Sequence, residues 1–224
     1  AESLVAHALR NWKVIANERC GSWYVPHSFV SDDDSAETTT ASPSDHFASA
    51  QSCYFKSTDG HVNIWEFSLK RLNLELLERT IAMGDGGCVL VDSSVRKVLP
   101  DSFSRTIPIW ATVLNRIALR FRERGVGGAV SGASNGTANT SRKWDTNLHT
   151  PKGVVSVEEH ATISALIEDR VETLSRSGAI VNPTKLIEML QKPLRVVWMN
   201  HEGEIYQSNH DIIGEYSCSP ANVQ

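Results

Sequence analysis

The chain reads as an α/β protein: a layered domain in which short buried strands alternate with helices, interrupted by two flexible insertions. Three observations lead there. Apolar runs of strand length recur at residues 13–16, Cys88–Val91 and 194–199, each too short for a helix and rich in the aliphatic residues of a covered strand. Longer segments between them repeat apolar residues at three- and four-residue spacing, the period of a helix packed on one side. Two stretches of small and polar residues without any period separate these blocks. Strand and helix in alternation imply helices layered on a sheet, with the strand order left open.

The strand at 13–16 runs into the loop 17–23, where Gly21 permits a tight turn or a close ligand approach. Residues 28–52, rich in Ser, Thr, Ala and Asp, form the first insertion. A helix is predicted over about 65–83, with Phe67, Leu69, Leu72, Leu76 and Leu77 on its apolar face, and Gly84, Gly86 and Gly87 stop it before the Cys88 strand. Lys70 and Arg71, with Glu75 and Arg79, then make ion pairs one turn apart on its surface. The next helix, about 106–124, buries Trp110, Val113, Leu114, Ile117 and Phe121 and repeats Arg116, Arg120 and Arg124 at every fourth position. The second insertion spans about 125–155, and helices follow at 157–175 and 184–191.

With 224 residues and 41% hydrophobic content, the chain can bury a substantial core. No apolar run approaches the roughly 20 residues that cross a bilayer, so no membrane partner and a cytoplasmic location are expected. Cys20, Cys53, Cys88 and Cys218 form no CxxC pair and the 8 histidines show no ligand spacing, which argues against a zinc knuckle or a disulfide framework and makes Cys88 a small core residue. The formal charge of −4 is unusual for a nucleic-acid binder, yet Asp32, Asp33, Asp34, Glu37 and Asp45 all fall in the first insertion. Outside it 21 acids face 22 bases, so local cation clusters matter more than net charge.

The chemistry-bearing residues gather after the Cys88 strand. It ends in Asp92-Ser93-Ser94, exposes Arg96 and Lys97, and passes through Pro100-Asp101-Ser102, Arg105, Thr106 and Pro108 into a helix. A carboxylate, hydroxyls, cations and a helix start in one loop suit a sugar phosphate with a divalent cation. A second loop, Lys56-Ser57-Thr58-Asp59-Gly60-His61, sets a cation, hydroxyls, an acid and an imidazole around a glycine.

Together with Asn17-Glu18-Arg19-Cys20-Gly21-Ser22-Trp23-Tyr24, Ser68-Leu69-Lys70-Arg71-Leu72-Asn73 and Ile107-Pro108-Ile109-Trp110, these strings resemble the initiator-tRNA phosphoribosyltransferase family. The resemblance covers residues 12–24, 54–77 and 86–119 and, more weakly, 160–199. It implies transfer of a phosphoribosyl group from phosphoribosyl pyrophosphate to the 2′-hydroxyl of an adenosine in the T stem of initiator tRNA, distinguishing it from elongator tRNA. It also implies that the chain is the N-terminal part of a protein that continues into a phosphatase-like domain.

On that footing Asp92 is the first choice for Mg²⁺ or the ribose hydroxyls, with Ser93 and Ser94 beside it; loop capping is the plain alternative. The paired acids and Thr-Gly phosphate loop of standard phosphoribosyltransferases are absent. Arg96, Lys97 and Arg105 are candidates for the 5′-phosphate and pyrophosphate, or else solvated loop charges. The family's loop runs Val-Asp-Ser-Thr-Arg-Arg-Gly-Lys before Pro-Asp, whereas here Val95 stands near the first Arg and the loop is about one residue shorter, which leaves the matching of cation to phosphate open.

Lys56, Ser57 and Thr58 would bind phosphate oxygens, and Asp59 or His61 would act as the base; the alternative is an ordinary Asp-Gly turn. Arg19 is a phosphate or RNA contact, or an ion-pair partner of Glu18, while Trp23 is a stacking platform. Arg116, Arg120 and Arg124 would lie along tRNA phosphates, or form a charged solvent face. A non-catalytic tRNA-binding or site-organising module, with catalytic residues elsewhere, is the rival reading. A dual-specificity phosphatase needs a Cys with an Arg six positions later, and no cysteine here has one.

Overall fold

The computed structural model describes residues 12–18, 52–81, 87–125 and 144–210. Three short strands, β1 (Lys13–Asn17), β2 (Ser52–Cys53) and β3 (Cys88–Val91), form a parallel sheet in the order β2-β1-β3. β1 pairs with β3 from Lys13 opposite Cys88 to Ala16 opposite Val91, and with β2 at Ala16 opposite Ser52 and Asn17 opposite Cys53. Because all three run the same way, Asn17, Cys53 and Val91 deliver their following loops to one edge of the sheet. In open α/β sheets that edge is where ligands gather.

β2 ends after Cys53, yet the main chain beyond it stays paired through side chains. Asn73 Oδ1 accepts from Tyr54 N at 3.0 Å while its Nδ2 donates to Tyr54 O at 3.2 Å. Asn17 does the same for the next residue: its Oδ1 accepts from Phe55 N at 2.7 Å and its Nδ2 donates to Phe55 O at 2.9 Å. Two carboxamides thus replace the strand neighbours that residues 54 and 55 lack, and satisfy buried peptide groups that no strand reaches.

The predicted helix over 65–83 is corrected to a single short helix, α1 (Leu74–Ile81). Trp65 at φ 43° and Asn73 at φ 48° adopt left-handed backbone that a right-handed helix cannot include. The Leu72 carbonyl, which a helix would use internally, instead accepts from Trp110 Nε1 at 2.6 Å. Phe67, Leu69 and Leu72 still pack on the core, so their spacing reported burial in an irregular segment rather than helical period. Arg71 accordingly pairs not with Glu75 but with Asp59, and its guanidinium lies 5.2 Å over the Tyr54 ring.

The long helix α2 (Ile107–Glu123) follows directly on a π-helical turn, Ser102–Thr106, in which Ile107 N donates five residues back to Ser102 O. Such wide turns are rare and cluster at functional sites. α3 (Val157–Ser177) begins at Ser156, whose hydroxyl accepts from Glu159 N at 3.1 Å, and ends at Gly178 in the left-handed region. α4 (Pro183–Met189) is capped by Asn182, with Pro183 at its first position. β4 (Trp198–Met199) and β5 (Ile205–Tyr206) form a separate antiparallel hairpin. The strand predicted over 194–199 is therefore shortened and lies outside the parallel sheet, because Leu194 pairs through both N and O with the Asn115 side chain of α2.

The core lies where α2 meets α3, with Val113, Leu114, Ile117, Ile163, Ile167, Val171 and Leu174 essentially inaccessible. Each such side chain contributes about 1.5–3 kcal/mol by burial, so the helix pair is a firm platform under the sheet edge. The second insertion, expected to reach 155, is corrected at its far end. Leu148, Thr150 and Val155 are buried, Trp144 Nε1 donates to Asn115 O at 2.9 Å, and Arg122 covers the Trp144 ring at 4.5 Å. Residues 28–51 and 126–143, the remainder of both expected insertions, lie outside the described residues. No described helix is long and apolar enough to cross a membrane.

Candidate active site

The three strand ends and the start of α2 meet around two carboxylates, Asp92 and Asp101. Asp92 follows β3. Its Oδ1 accepts from Ser93 N at 2.8 Å, and its Oδ2 accepts from Asn17 Nδ2 at 2.7 Å and from Ser102 Oγ at 2.5 Å. All three donors are neutral. Oδ2 is filled by two bonds, whereas Oδ1 keeps an acceptor sector in reserve.

Asp101 is the opposite case. It is 5% exposed and is met by two cations, Lys97 Nζ at 2.5 Å on Oδ2 and Arg105 Nη1 at 3.0 Å on Oδ1, with the imidazole nitrogen His61 Nε2 3.6 Å from Oδ2. Behind it Arg105 makes a two-point contact with Glu159, Nε to Oε1 at 2.6 Å and Nη2 to Oε2 at 2.8 Å, and Trp65 Nε1 donates to the same Oε1 at 3.0 Å. Burial opposes ionisation of Glu159, but the hydrogen bonds from Arg105 and Trp65 and the charge of Arg105 outweigh it and hold its carboxyl below the usual range. Asp101, Arg105 and Glu159 therefore form a buried relay that anchors α3 to the site.

The 56–61 loop is fastened to α2 by one hydroxyl. Thr106 Oγ1 donates to Lys56 O at 3.2 Å and accepts from Gly60 N at 3.1 Å. A Cβ on Gly60 would stand 2.5 Å from Thr106 N, so the approach requires glycine. The loop sends its two proposed bases different ways. Asp59 faces Arg71, with Nε 3.2 Å from its Oδ2, while His61 reaches Asp101 on the other side. His61 Nδ1 lies 3.1 Å from Val62 O, which assigns the proton to Nδ1 and leaves Nε2 as the basic nitrogen.

The remaining sequence candidates divide clearly. Lys97 and His61 stand together at Asp101 Oδ2, with half-exposed side chains; Arg96 is exposed on the loop of Lys97, and Ser94 Oγ accepts from Lys97 N at 3.3 Å. Lys56 and Ser57 are partly buried and Thr58 is exposed in the turn above Thr106. The Arg105 guanidinium, a candidate phosphate ligand, is directed inward to Asp101, Ser104 and Glu159. In the arginine stripe, Arg116 and Arg120 turn toward α3, where Arg116 meets Glu168 at 3.2 Å and Arg120 meets both Glu168 and Glu172. Arg124 alone of the three remains on an exposed turn. Arg19 and Trp23 lie outside the described residues.

Sequence reasoning gave no individual role to Asn17, Asp101, Ser102, Thr106 or Glu159. The first four sit inside the strings that were singled out; Glu159, 54 residues from Arg105, gave no local signal. A further polar cluster elsewhere joins Asp145, His149, His160, Arg195 and Ser208, with His149 Nε2 2.7 Å from Asp145 Oδ2 and Nδ1 3.0 Å from Ser208 Oγ. It ties residues 207–210 to the 144–160 region and serves the fold. Among the described residues no three metal-type ligands converge. A lone carboxylate with neutral neighbours is nonetheless compatible with Mg²⁺, which keeps waters and shares its coordination with substrate phosphates. Burial pushes the Cys88 thiol up to about 12, which disfavours the reactive thiolate.

Comparison with known proteins agrees with this picture. Residues 3–220 match the family described as Rit1 N-terminal domain. The chain is 36% identical over 193 residues to the tRNA A64-2′-O-ribosylphosphate transferase of Saccharomyces cerevisiae, an alignment covering 85% of this chain and 30% of that protein. It is 31% identical over 190 residues to an uncharacterised protein of Schizosaccharomyces pombe, covering 84% of this chain and 33% of that one. The chain thus spans about a third of the length of these relatives. No solved structure matches. With a family match across nearly the whole chain, two relatives aligned over most of it, and Asn17, the 56–61 loop and Asp92 meeting at one sheet edge, the chain belongs to the Rit1 family, over its N-terminal domain.

Proposed function

We propose that this domain builds the donor end of a glycosyltransferase that moves a phosphoribosyl group from phosphoribosyl pyrophosphate to the 2′-hydroxyl of an adenosine in the T stem of initiator tRNA, discriminating against elongator tRNA. The name of the yeast relative supports the reaction class. The observation that carries the reading is Asp92: a carboxylate at the sheet edge, held only by neutral donors, on the same loop as Arg96 and Lys97, with His61 of the 56–61 loop meeting Lys97 at Asp101. Such a carboxylate has charge to give to a cation or a sugar diol, and the neighbouring cations suit phosphates.

In this reading the bond from ribose C1′ to the pyrophosphate oxygen breaks, and its electron pair leaves with pyrophosphate. The RNA 2′-oxygen attacks C1′ and its proton passes to His61 Nε2. Asp101, next to that nitrogen, stabilises the imidazolium that forms. Asp59 is the poorer base because Arg71 occupies it. Arg96, Lys97 and Lys56 hold the phosphates, with Ser57, Thr58, Ser93 and Ser94 as hydrogen-bonding neighbours. Bound Mg²⁺, held on the Asp92 side, would neutralise the departing diphosphate.

The test is the full-length protein incubated with donor and either initiator or elongator tRNA. A phosphoribosyl mass increase on initiator tRNA alone, lost in Asp92→Asn with the fold retained, is the expected result. Normal turnover in folded Asp92→Asn refutes the site. Donor binding measured by calorimetry, with and without Mg²⁺, separates this reading from a purely tRNA-holding module.

A further inference from the structure

We propose that Asn17 is a positioning residue for this reaction, selecting which oxygen of Asp92 meets the substrate; the inference rests on the reading just given. Asn17 ends the central strand and is 1% exposed. Every hydrogen-bonding capacity its geometry calls on is directed. Oδ1 takes Phe55 N at 2.7 Å, and the two hydrogens on Nδ2 go to Phe55 O at 2.9 Å and Asp92 Oδ2 at 2.7 Å.

The amide cannot flip. Phe55 N requires an acceptor and Phe55 O requires a donor, so the main chain of the neighbouring strand dictates that Nδ2, not Oδ1, faces Asp92. Ser102 Oγ then supplies the second bond to the same oxygen from the π-helical turn. With Oδ2 closed by donors from two directions, Oδ1 is the oxygen left to face a ligand, carrying only the Ser93 N–H. One carboxamide thereby links three parts of the site: the end of β1, the root of the 56–61 loop through Phe55, and the carboxylate after β3.

A residue that only stabilised the fold would need no polarity toward Asp92. Asn17 has one, and its isosteric reversal is informative. In Asn17→Asp the donor becomes an acceptor facing a carboxylate, so the two acids must share a proton near neutral pH. The substitution keeps the shape and inverts the electrostatics.

The experiment uses full-length protein and compares wild type with Asn17→Asp, Ser102→Ala, Asp92→Asn and the exchange variant Asn17→Asp/Asp92→Asn. Steady-state kinetics are read separately for donor and tRNA across pH, with thermal melting as the control for folding. For Asn17→Asp the expectation is a donor KM raised about tenfold or more with tRNA KM unchanged, and an acid limb of kcat/KM moved up by about one unit or more. Ser102→Ala should move the donor KM in the same direction by less. The exchange variant should regain part of the melting temperature, since position 92 can then donate to position 17 while Phe55 O stays without its donor, but not turnover, because the carboxylate then starts from the wrong strand. A folded Asn17→Asp with unchanged donor KM and pH profile overturns the proposal, and so does an active exchange variant. If Asn17→Asp does not fold, the same kinetics are read on Asn17→Ser, and an unchanged donor KM there overturns it equally. Full turnover in Asp92→Asn would instead remove the proposed function itself, so the two failures are distinct.

Discussion

Glu159→Ala tests whether the site is held from beneath. The carboxylate is 14% exposed and accepts two bonds from Arg105, itself 8% exposed, plus one from Trp65. Its removal leaves Nε and Nη2 of a buried guanidinium without partners while Asp101 keeps Nη1. Breaking one side of a buried pair costs about 3–5 kcal/mol; the partial exposure of Glu159 places this case near the lower end, roughly two orders of magnitude in the folding equilibrium. Urea unfolding at neutral pH measures it. Because the folded-state carboxyl ionises below its unfolded value, the stability it adds is present above the unfolded pKa and is lost as pH falls through the folded one. The variant should lose that part of the pH dependence too. In Arg105→Met/Glu159→Leu the loss should be smaller than the sum of the single changes by about 1 kcal/mol or more, since no buried charge at either position is then unpaired. A Glu159→Ala protein within about 0.5 kcal/mol of wild type would refute the reasoning, because only a surface pair behaves so.

The other expectations concern loop, RNA face and pH. Gly60→Ala places a Cβ 2.5 Å from Thr106 N, so it should cost about 1–3 kcal/mol and lift the 56–61 loop, read by unfolding and by a lower kcat; a neutral variant would mean that the loop yields. Arg96→Ala should raise the donor KM, whereas Arg120→Ala, whose cation already faces Glu168 and Glu172, should leave the salt slope of tRNA binding unchanged; a slope reduced by about one in Arg120→Ala would restore the arginine stripe as the RNA contact. Burial alone would raise the Asp145 carboxyl, but hydrogen bonds from His149 and Asn147 and the charges of His149 and Arg195 bring it from 3.8 down to about 2. Stability on the order of 2 kcal/mol should therefore be present above about pH 4 and disappear on acidification toward pH 2. Burial and the neighbouring His210 and His149 lower the His160 pKa, so protonation also weakens the fold as pH drops below its unfolded value. Acid unfolding of Asp145→Asn and His160→Asn should each be flatter over its own range, and an unchanged curve would deny that cluster its part.

Much of this architecture was legible before any coordinates. Cys88–Val91 declared itself as a strand because four apolar residues bounded by glycines and an acid have few other covered conformations. The residues 107–123 declared themselves a helix because apolar period and proline position agree. The 65–73 segment misled for a physical reason: apolar spacing records which side is buried, and an irregular chain clamped by Asn73 and Trp110 can bury the same residues. The partners of Arg105 and Arg120 were not legible, because a sequence counts charges without showing which of them another helix meets.

By itself, the sequence determined that strand and helix alternate, that polar chemistry follows Val91, and that the strings of one family are present. Only the tertiary structure decided that the three strands run parallel, which puts Asn17, the 56–61 loop and Asp92 on one edge although 75 residues separate Asn17 from Asp92. It also decided which carboxylate is surrounded by cations and which by neutral donors. Those are properties of distance in space, and hydrogen bonds and ion pairs act over a few ångströms whatever length of chain lies between their ends.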